Sequence, residues 1–324
     1  PNILLFNFHQ LDVEKFVCFN NSKVSIYCIS MSFYYINEEL GSTLQNILTK
    51  TCQAKYYHKL NNIAVTWINY EENSKKGYGY GINNRKKIYP ASIVKLVYAL
   101  AIYYWIENKI ILRDLQVDEA TQAMLMNSSN DATSFIVDLL TGTTSGPSLE
   151  KEIFNRWKYQ RAIINDWLKT LNWDEIQDFN CCQKTWEDRP YGREKDFYST
   201  SNKNRNSMTT DGTARIMEEI MQNISFNKEN INLKNYLFRE LNEESQHKDP
   251  NNQINGFLGG GLPEKIPFWS KAGLMSEVRN DVAWWINRNK SKTLLVVFTE
   301  GTEFAKDNYF LPEFSKAIYE FMHS

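Results

Sequence analysis

Residues 89–100 read YPASIVKLVYAL, an apolar run broken only by Pro90, Ser92 and Lys95. Pro90 and Ser92, followed by apolar residues that continue to Ile106, read as the start of a helix that is hydrophobic on every side. Such a helix belongs in a core. An ammonium buried there without a partner costs several kcal/mol or loses its proton, so Lys95 needs either a path to solvent or a chemical role. Ser92 stands three residues earlier on the same helical face, within reach of the amine. A desolvated amine with a lowered pKa is a base for that hydroxyl, and the helix N-terminus favours developing negative charge.

The rest of the chain bounds what this pair can be. With 324 residues, 42% of them hydrophobic, the protein can bury one large core or two moderate ones. Its 37 basic and 38 acidic side chains give a formal net charge of -1 and no basic field, so nucleic acid is not an expected partner. The five cysteines are odd in number and lack C-x-x-C spacing, and His9, His58, His247 and His323 are scattered. No disulfide framework, metal or cofactor is therefore expected. Val24–Ile36 is too short and too polar to span a bilayer, and the run from Ile88 to Ile106 keeps only 11 uninterrupted apolar residues after Lys95, so no membrane span is expected.

Periodicity divides the chain. Residues 1–41 carry no motif and read as an extension. Ser42–Ala54 is an expected amphipathic helix capped by Ser42 or Thr43, and Ile63–Asn69 with Lys76–Ile82 an expected hairpin. Helical patterns follow from Ser92 to about Met221, interrupted by a polar stretch, Asp174–Met208, that is too long for an ordinary connection. Phe268–Leu274, Asp281–Ile286 and Thr293–Phe298 are strand-like, and Pro312–Met322 is a closing helix. The fold class is thus α+β: an antiparallel sheet of about five strands, drawn from residues 42–91 and 212–324, with a helical domain at 92–211 that includes the omega-like loop 174–208.

S-x-x-K recurs at Ser148/Lys151, Ser225/Lys228 and Ser245/Lys248, in polar contexts where the lysine simply meets water. Two further pieces set the first apart. Ser128-Ser129-Asn130 offers a second hydroxyl and a carboxamide ahead of an apolar helix, and Lys271-Ala272-Gly273 puts a lysine and a close-approach glycine on a strand. Singly, Asn130 reads as a helix cap and Lys271 as an edge-strand guard. In this order and context the three resemble the S-x-x-K, S-D-N and K-T-G triplet of class A β-lactamases and penicillin-binding proteins. The resemblance covers roughly residues 42–324.

That resemblance implies that Ser92 attacks a carbonyl, Lys95 accepts its proton, Ser128 relays a proton to the leaving nitrogen, and Asn130 holds the substrate's amide side chain. It implies that Lys271 supplies positive charge near Ser128 and a substrate carboxylate, and that the N–H groups of Ser92 and Leu274 form an oxyanion hole beside Gly273. The family's threonine is Ala272 here, which removes a hydroxyl that helps bind the carboxylate; Arg279, in an expected turn, is either a compensating charge or a solvated arginine. The gap between Ser92 and Ser128 is also shorter than the family's. Glu187, after Trp186, is the first candidate for the deacylating base and Glu194 the competitor; with neither, the acyl-enzyme would hydrolyse slowly. The implied function is a serine acyl hydrolase acting on a β-lactam or related amide. The alternatives are a D,D-peptidase or esterase with slow deacylation, and a non-catalytic ligand-binding descendant. The expected partner is a small molecule and the expected state a monomer; the resemblance implies a periplasmic or secreted location, although no signal peptide is visible.

Overall fold

Ile63–Tyr70 is β-branched and aromatic almost throughout, and in the computed structural model it is a strand with all eight residues buried. The structure describes residues 32–199, 203–222, 233–242, 244 and 253–323. The strands are β1 (Tyr35–Ile36), β2 (Ile63–Tyr70), β3 (Tyr78–Ile82), β4 (Phe238–Arg239), β5 (Phe268–Met275), β6 (Val278–Ile286) and β7 (Lys292–Thr299). They form one sheet in the order β1-β3-β2-β7-β6-β5-β4, antiparallel except for the parallel pair β1–β3.

The sheet has seven strands where about five were expected. The two additions, β1 and β4, are two-residue edge strands held by backbone pairing. Segments so short carry no alternation to find. Of the expected extension, residues 1–31 lie outside the described residues, and so does most of Val24–Ile36.

Eleven helices flank the sheet among the described residues: α1 (Glu38–Tyr56), α2 (Lys95–Glu107), α3 (Leu115–Met126), α4 (Asn130–Thr141), α5 (Lys151–Arg161), α6 (Ile163–Thr170), α7 (Gly192–Tyr198), α8 (Thr210–Gln222), α9 (Leu233–Leu237), α10 (Thr302–Ala305) and α11 (Phe310–Phe321). None is long and apolar enough to cross a membrane. α1 begins a turn earlier than its expected cap, because Asn37 Oδ1 accepts from the Leu40 N–H at 2.9 Å and Glu38 and Glu39 suit the positive end of the helix. Leu40, Leu44 and Leu48 of α1 share one face and pack with Phe310, Phe314 and Ile318 of α11 over Val65, Trp67, Val297 and Trp285. The opposite sheet face, with Ile68, Val296, Val282 and Trp284, packs against Met217 and Ile220 of α8 and the apolar residues of α2.

Every residue of α2 from Lys95 to Tyr103 is buried, so the helix is apolar all round as its sequence requires. A single 3-10 turn, Ala91–Val94, precedes it and carries Ser92. The long connection before α8 is likewise not featureless. It contains α7, and isolated bridges pair Asn180 with Ser207 and Ile88 with Met208.

Candidate active site

The serine end of the site is built by contacts from β5 and β6. Asn280 of β6 is fully buried; its Nδ2 donates to the Tyr89 carbonyl at 2.9 Å and its Oδ1 accepts from the Thr299 N–H at 2.8 Å. This fixes the chain just before Ser92. Ala91 sits at φ +47°, a left-handed conformation that costs a residue with a Cβ and that persists only where the surroundings impose it. Gly273 of β5 lies directly behind: a Cβ there would fall 2.4 Å from the Pro90 carbonyl oxygen and 3.2 Å from the Ser92 nitrogen. Both neighbours are backbone and cannot rotate away. Gly273→Ala is therefore expected to cost roughly 1–3 kcal/mol in urea unfolding and to lower any Ser92-dependent activity by displacing the turn from β5.

Lys95 is fully buried, and its Nζ donates to the Ser128 carbonyl at 2.5 Å, to Asn130 Oδ1 at 2.8 Å and to Ser128 Oγ at 3.2 Å. The expected contact with Ser92 is not formed; a carbonyl and a carboxamide oxygen are better acceptors than a hydroxyl, and they claim the amine. Ser92 Oγ has no hydrogen-bond partner among the described residues. Desolvation lowers the Lys95 pKa to about 7, against the opposing pull of the Glu187 carboxylate. Lys271 reaches the same hydroxyl from the sheet, with Nζ 3.0 Å from Ser128 Oγ. Its pKa is pushed well down by complete burial and then by the Lys95 and Arg239 cations. While Lys95 is protonated, both lone pairs of Ser128 Oγ are engaged by amines and its own proton is free to turn away from them; once Lys95 is neutral, the Ser128 hydroxyl can donate to its lone pair. Ser128 also has a positive φ of 55°, the second left-handed non-glycine residue beside the cleft.

Asn130 opens α4, whose N-cap is Ser129: Ser129 Oγ accepts from the Ala132 N–H at 3.1 Å. Serine and aspartate serve equally well at such a cap. Asn130 links both sides of the cleft, accepting from Lys95 and donating through Nδ2 to Glu187 Oε1 at 2.9 Å. Glu187 is exposed. Glu194 belongs elsewhere: it is buried, accepts from Arg161 Nη2 and Ser145 Oγ, each at 2.8 Å, and makes no contact with Ser92, Lys95 or Ser128. The segment leading to Glu187 is held by Asn206, whose Oδ1 takes the Cys182 and Gln183 N–H groups at 3.1 and 2.9 Å, and by the Tyr98 hydroxyl of α2, which donates to the Gln183 carbonyl. Cys52, Cys181 and Cys182 are free thiols.

Arg279 corrects the sequence expectation. It lies in β6 rather than a turn, and it is buried on the sheet face away from Lys271, donating to Ala305 O through Nε and Nη2 and to Gly256 O through Nη1. β6 begins three residues earlier than its hydrophobic pattern because polar Arg279 and Asn280 are buried with their bonds satisfied. Ala272 shares the Arg279 face. Its N–H donates to Gln253 Oε1 at 3.2 Å, away from β6, and strand alternation turns the Leu274 N–H toward the same edge. Leu274 is half exposed there, so its N–H is open to a ligand oxygen. Gln253, Asn280, Asn206, Arg161 and Lys184 all order this region and were missed. They are isolated polar residues with no motif, and only their burial marks them.

A family model described as "Beta-lactamase enzyme family" matches residues 107–322, two thirds of the chain. The chain belongs to the beta-lactamase enzyme family. The match contains Ser128, Asn130, Glu187 and Lys271 and begins at Glu107, the last residue of α2, so that Ser92 and Lys95 precede it. Among solved structures, this family member is similar to a beta-lactamase from Chitinophaga pinensis (12% identity, TM-score 0.59, covering 88% of this chain and 99% of that one). It is also similar to a class A beta-lactamase from Bacteroides cellulosilyticus (16% identity, TM-score 0.56, covering 86% and 98%) and to PBP-A (14% identity, TM-score 0.58, covering 90% and 98%). At these identities the likeness establishes a β-lactamase and penicillin-binding-protein fold. No curated protein matches the chain in sequence.

Proposed function

We propose that this protein is a serine acyl hydrolase that opens a β-lactam or a related cyclic or peptide amide through an ester on Ser92. The observation that carries the proposal is the convergence of two buried amines, Lys95 and Lys271, on one hydroxyl, Ser128 Oγ, at 3.2 and 3.0 Å. Structural lysines rarely meet in this way, because each raises the cost of the other. In its neutral form Lys95 has two N–H bonds, which the Ser128 carbonyl and Asn130 Oδ1 take up, and a lone pair left for a proton. Ser92 Oγ attacks the carbonyl carbon and its proton passes to Lys95; the oxyanion is held by the Ser92 and Leu274 N–H groups. When the C–N bond breaks, the nitrogen takes the Ser128 proton, which Lys95 replaces. Water then hydrolyses the ester, with Glu187 as its base.

The placement of Glu187, exposed and tied to Asn130, supports a second reading in which that last step is slow, as in a D,D-peptidase or esterase. A variant of PBP-A has been captured as an acyl-enzyme complex with penicillin G, the kind of species proposed here. Labelling with a fluorescent penicillin, followed by intact-mass measurement over time, separates the readings. A transient adduct absent from Ser92→Ala supports the hydrolase, and a persistent one the slow enzyme. No adduct with any β-lactam or thioester overturns both and leaves a ligand-binding descendant.

A further inference from the structure

We infer that Gln253 is a specificity-determining residue: its carboxamide fills the position a ligand anion would take and selects substrates that carry no carboxylate on the carbon next to the scissile amide nitrogen. The inference rests on the Ser92 reading above. It starts from the acceptors of Lys271, which are Ser128 Oγ at 3.0 Å, Gln253 Oε1 at 2.7 Å and the Ala272 carbonyl at 3.0 Å. All three are neutral. No carboxylate lies within ion-pair distance of this buried lysine among the described residues.

Gln253 Oε1 is reached by two donors, Lys271 Nζ and the Ala272 N–H. Two donors converging on one oxygen, one of them also bonded to Ser128 Oγ, are what a ligand carboxylate oxygen would need. The Ala272 N–H also shares its strand edge with that of Leu274, two residues and roughly 7 Å along β5, so the position lies one substituent away from the reacting carbonyl. A protein oxygen already occupies it.

The carboxamide is fixed at its other end as well. Nε2 donates to the Met126 carbonyl at 2.9 Å, two residues before Ser128, and the residue is almost fully buried. Flipping the amide would turn its NH2 against the Lys271 amine and the Ala272 N–H, so its orientation is determined. Nothing nearby favours a carboxylate as the replacement. Ala272 has no hydroxyl for a second carboxylate oxygen, Arg279 is turned to the far face of the sheet, and burial disfavours the charged form of Lys271. A neutral substituent avoids displacing Gln253 and loses nothing.

Equilibrium binding of benzylpenicillin and of its methyl ester, measured by calorimetry in a Ser92→Ala background, tests this without any acylation. The ester is expected to bind tighter than the acid, and addition of Gln253→Ala should strengthen acid binding by about tenfold while leaving the ester nearly unchanged. Gln253→Glu, of the same shape and able to pair with Lys271, should weaken the acid further; it keeps the inference testable should Gln253→Ala fail to fold. A preference for the acid with Gln253 in place, an equal effect of Gln253→Ala on both ligands, or binding of neither ligand overturns the inference. Because Ser92→Ala cannot be acylated, adduct formation by the unaltered protein judges the Ser92 reading separately.

Discussion

Lys95→Met is expected to reduce acylation of Ser92 by about a thousandfold, the scale of a lost general base. Methionine fills much the same volume in the α2 core without the cost of burying an amine, but it leaves the Ser128 carbonyl and Asn130 Oδ1 short of a donor, so stability should change little. The pH profile makes the assignment specific. Burial lowers the Lys95 pKa to about 7 from an ordinary value near 10.5, and only the unprotonated amine can take the Ser92 proton. Acylation should therefore rise about tenfold per pH unit below pH 7 and level off above it. The Glu187 carboxylate holds this pKa up, so Glu187→Gln should move the inflection to lower pH, and Lys95→Met should abolish the rise altogether. Stopped-flow rates with a chromogenic β-lactam decide the matter: a profile unchanged in Lys95→Met would remove the lysine from the mechanism.

Arg161→Ala is expected to destabilise the protein by roughly 3–5 kcal/mol, seen as a fall of roughly 10 °C in Tm. The guanidinium is fully buried; it donates to Thr143 Oγ1 at 2.7 Å, to Glu194 Oε1 at 2.8 Å and to Asp138 Oδ1 at 3.1 Å, and it lies over the Trp157 ring. Its removal leaves Glu194 buried with only the Ser145 hydroxyl in hydrogen-bond range and Lys184 at 3.8 Å. A buried carboxylate left with one hydroxyl and a single ammonium at 3.8 Å is what makes the change so costly. Arg161→Leu combined with Glu194→Leu removes both charges and should cost less than Arg161→Ala alone. If thermal unfolding shows the double variant to be the weaker, charge pairing is not what the network provides. Lys184 ties Asp138 of α4 to the segment three residues before Glu187, so the single variants should also loosen the loop that carries Glu187.

The helix at Lys95, the hairpin of β2 and β3, the three C-terminal strands and the closing helix were all legible, because each repeats a local period over enough residues to be read. The edge strands β1 and β4 were not, since two residues have no period. The α1 cap moved because Asn37, Ser42 and Thr43 are all good caps, and only the packing of Leu40 against α11 chooses among them. Arg279 was misplaced because a charged residue reads as a turn unless its buried acceptors, supplied by Gly256 and Ala305, are known.

The sequence by itself determined that a serine stands three residues before a lysine at the start of a buried helix, that a second hydroxyl and a carboxamide lie at the start of another helix, and that a lysine and a glycine sit on a strand. These follow from spacing within a few residues. Only the tertiary structure decided that Lys95 meets Ser128 and Asn130 rather than Ser92, that Glu187 and not Glu194 meets Asn130, and that Lys271 donates to Gln253. Those contacts join residues 18 to 57 positions apart, and no local pattern constrains which distant acceptor a buried donor will find.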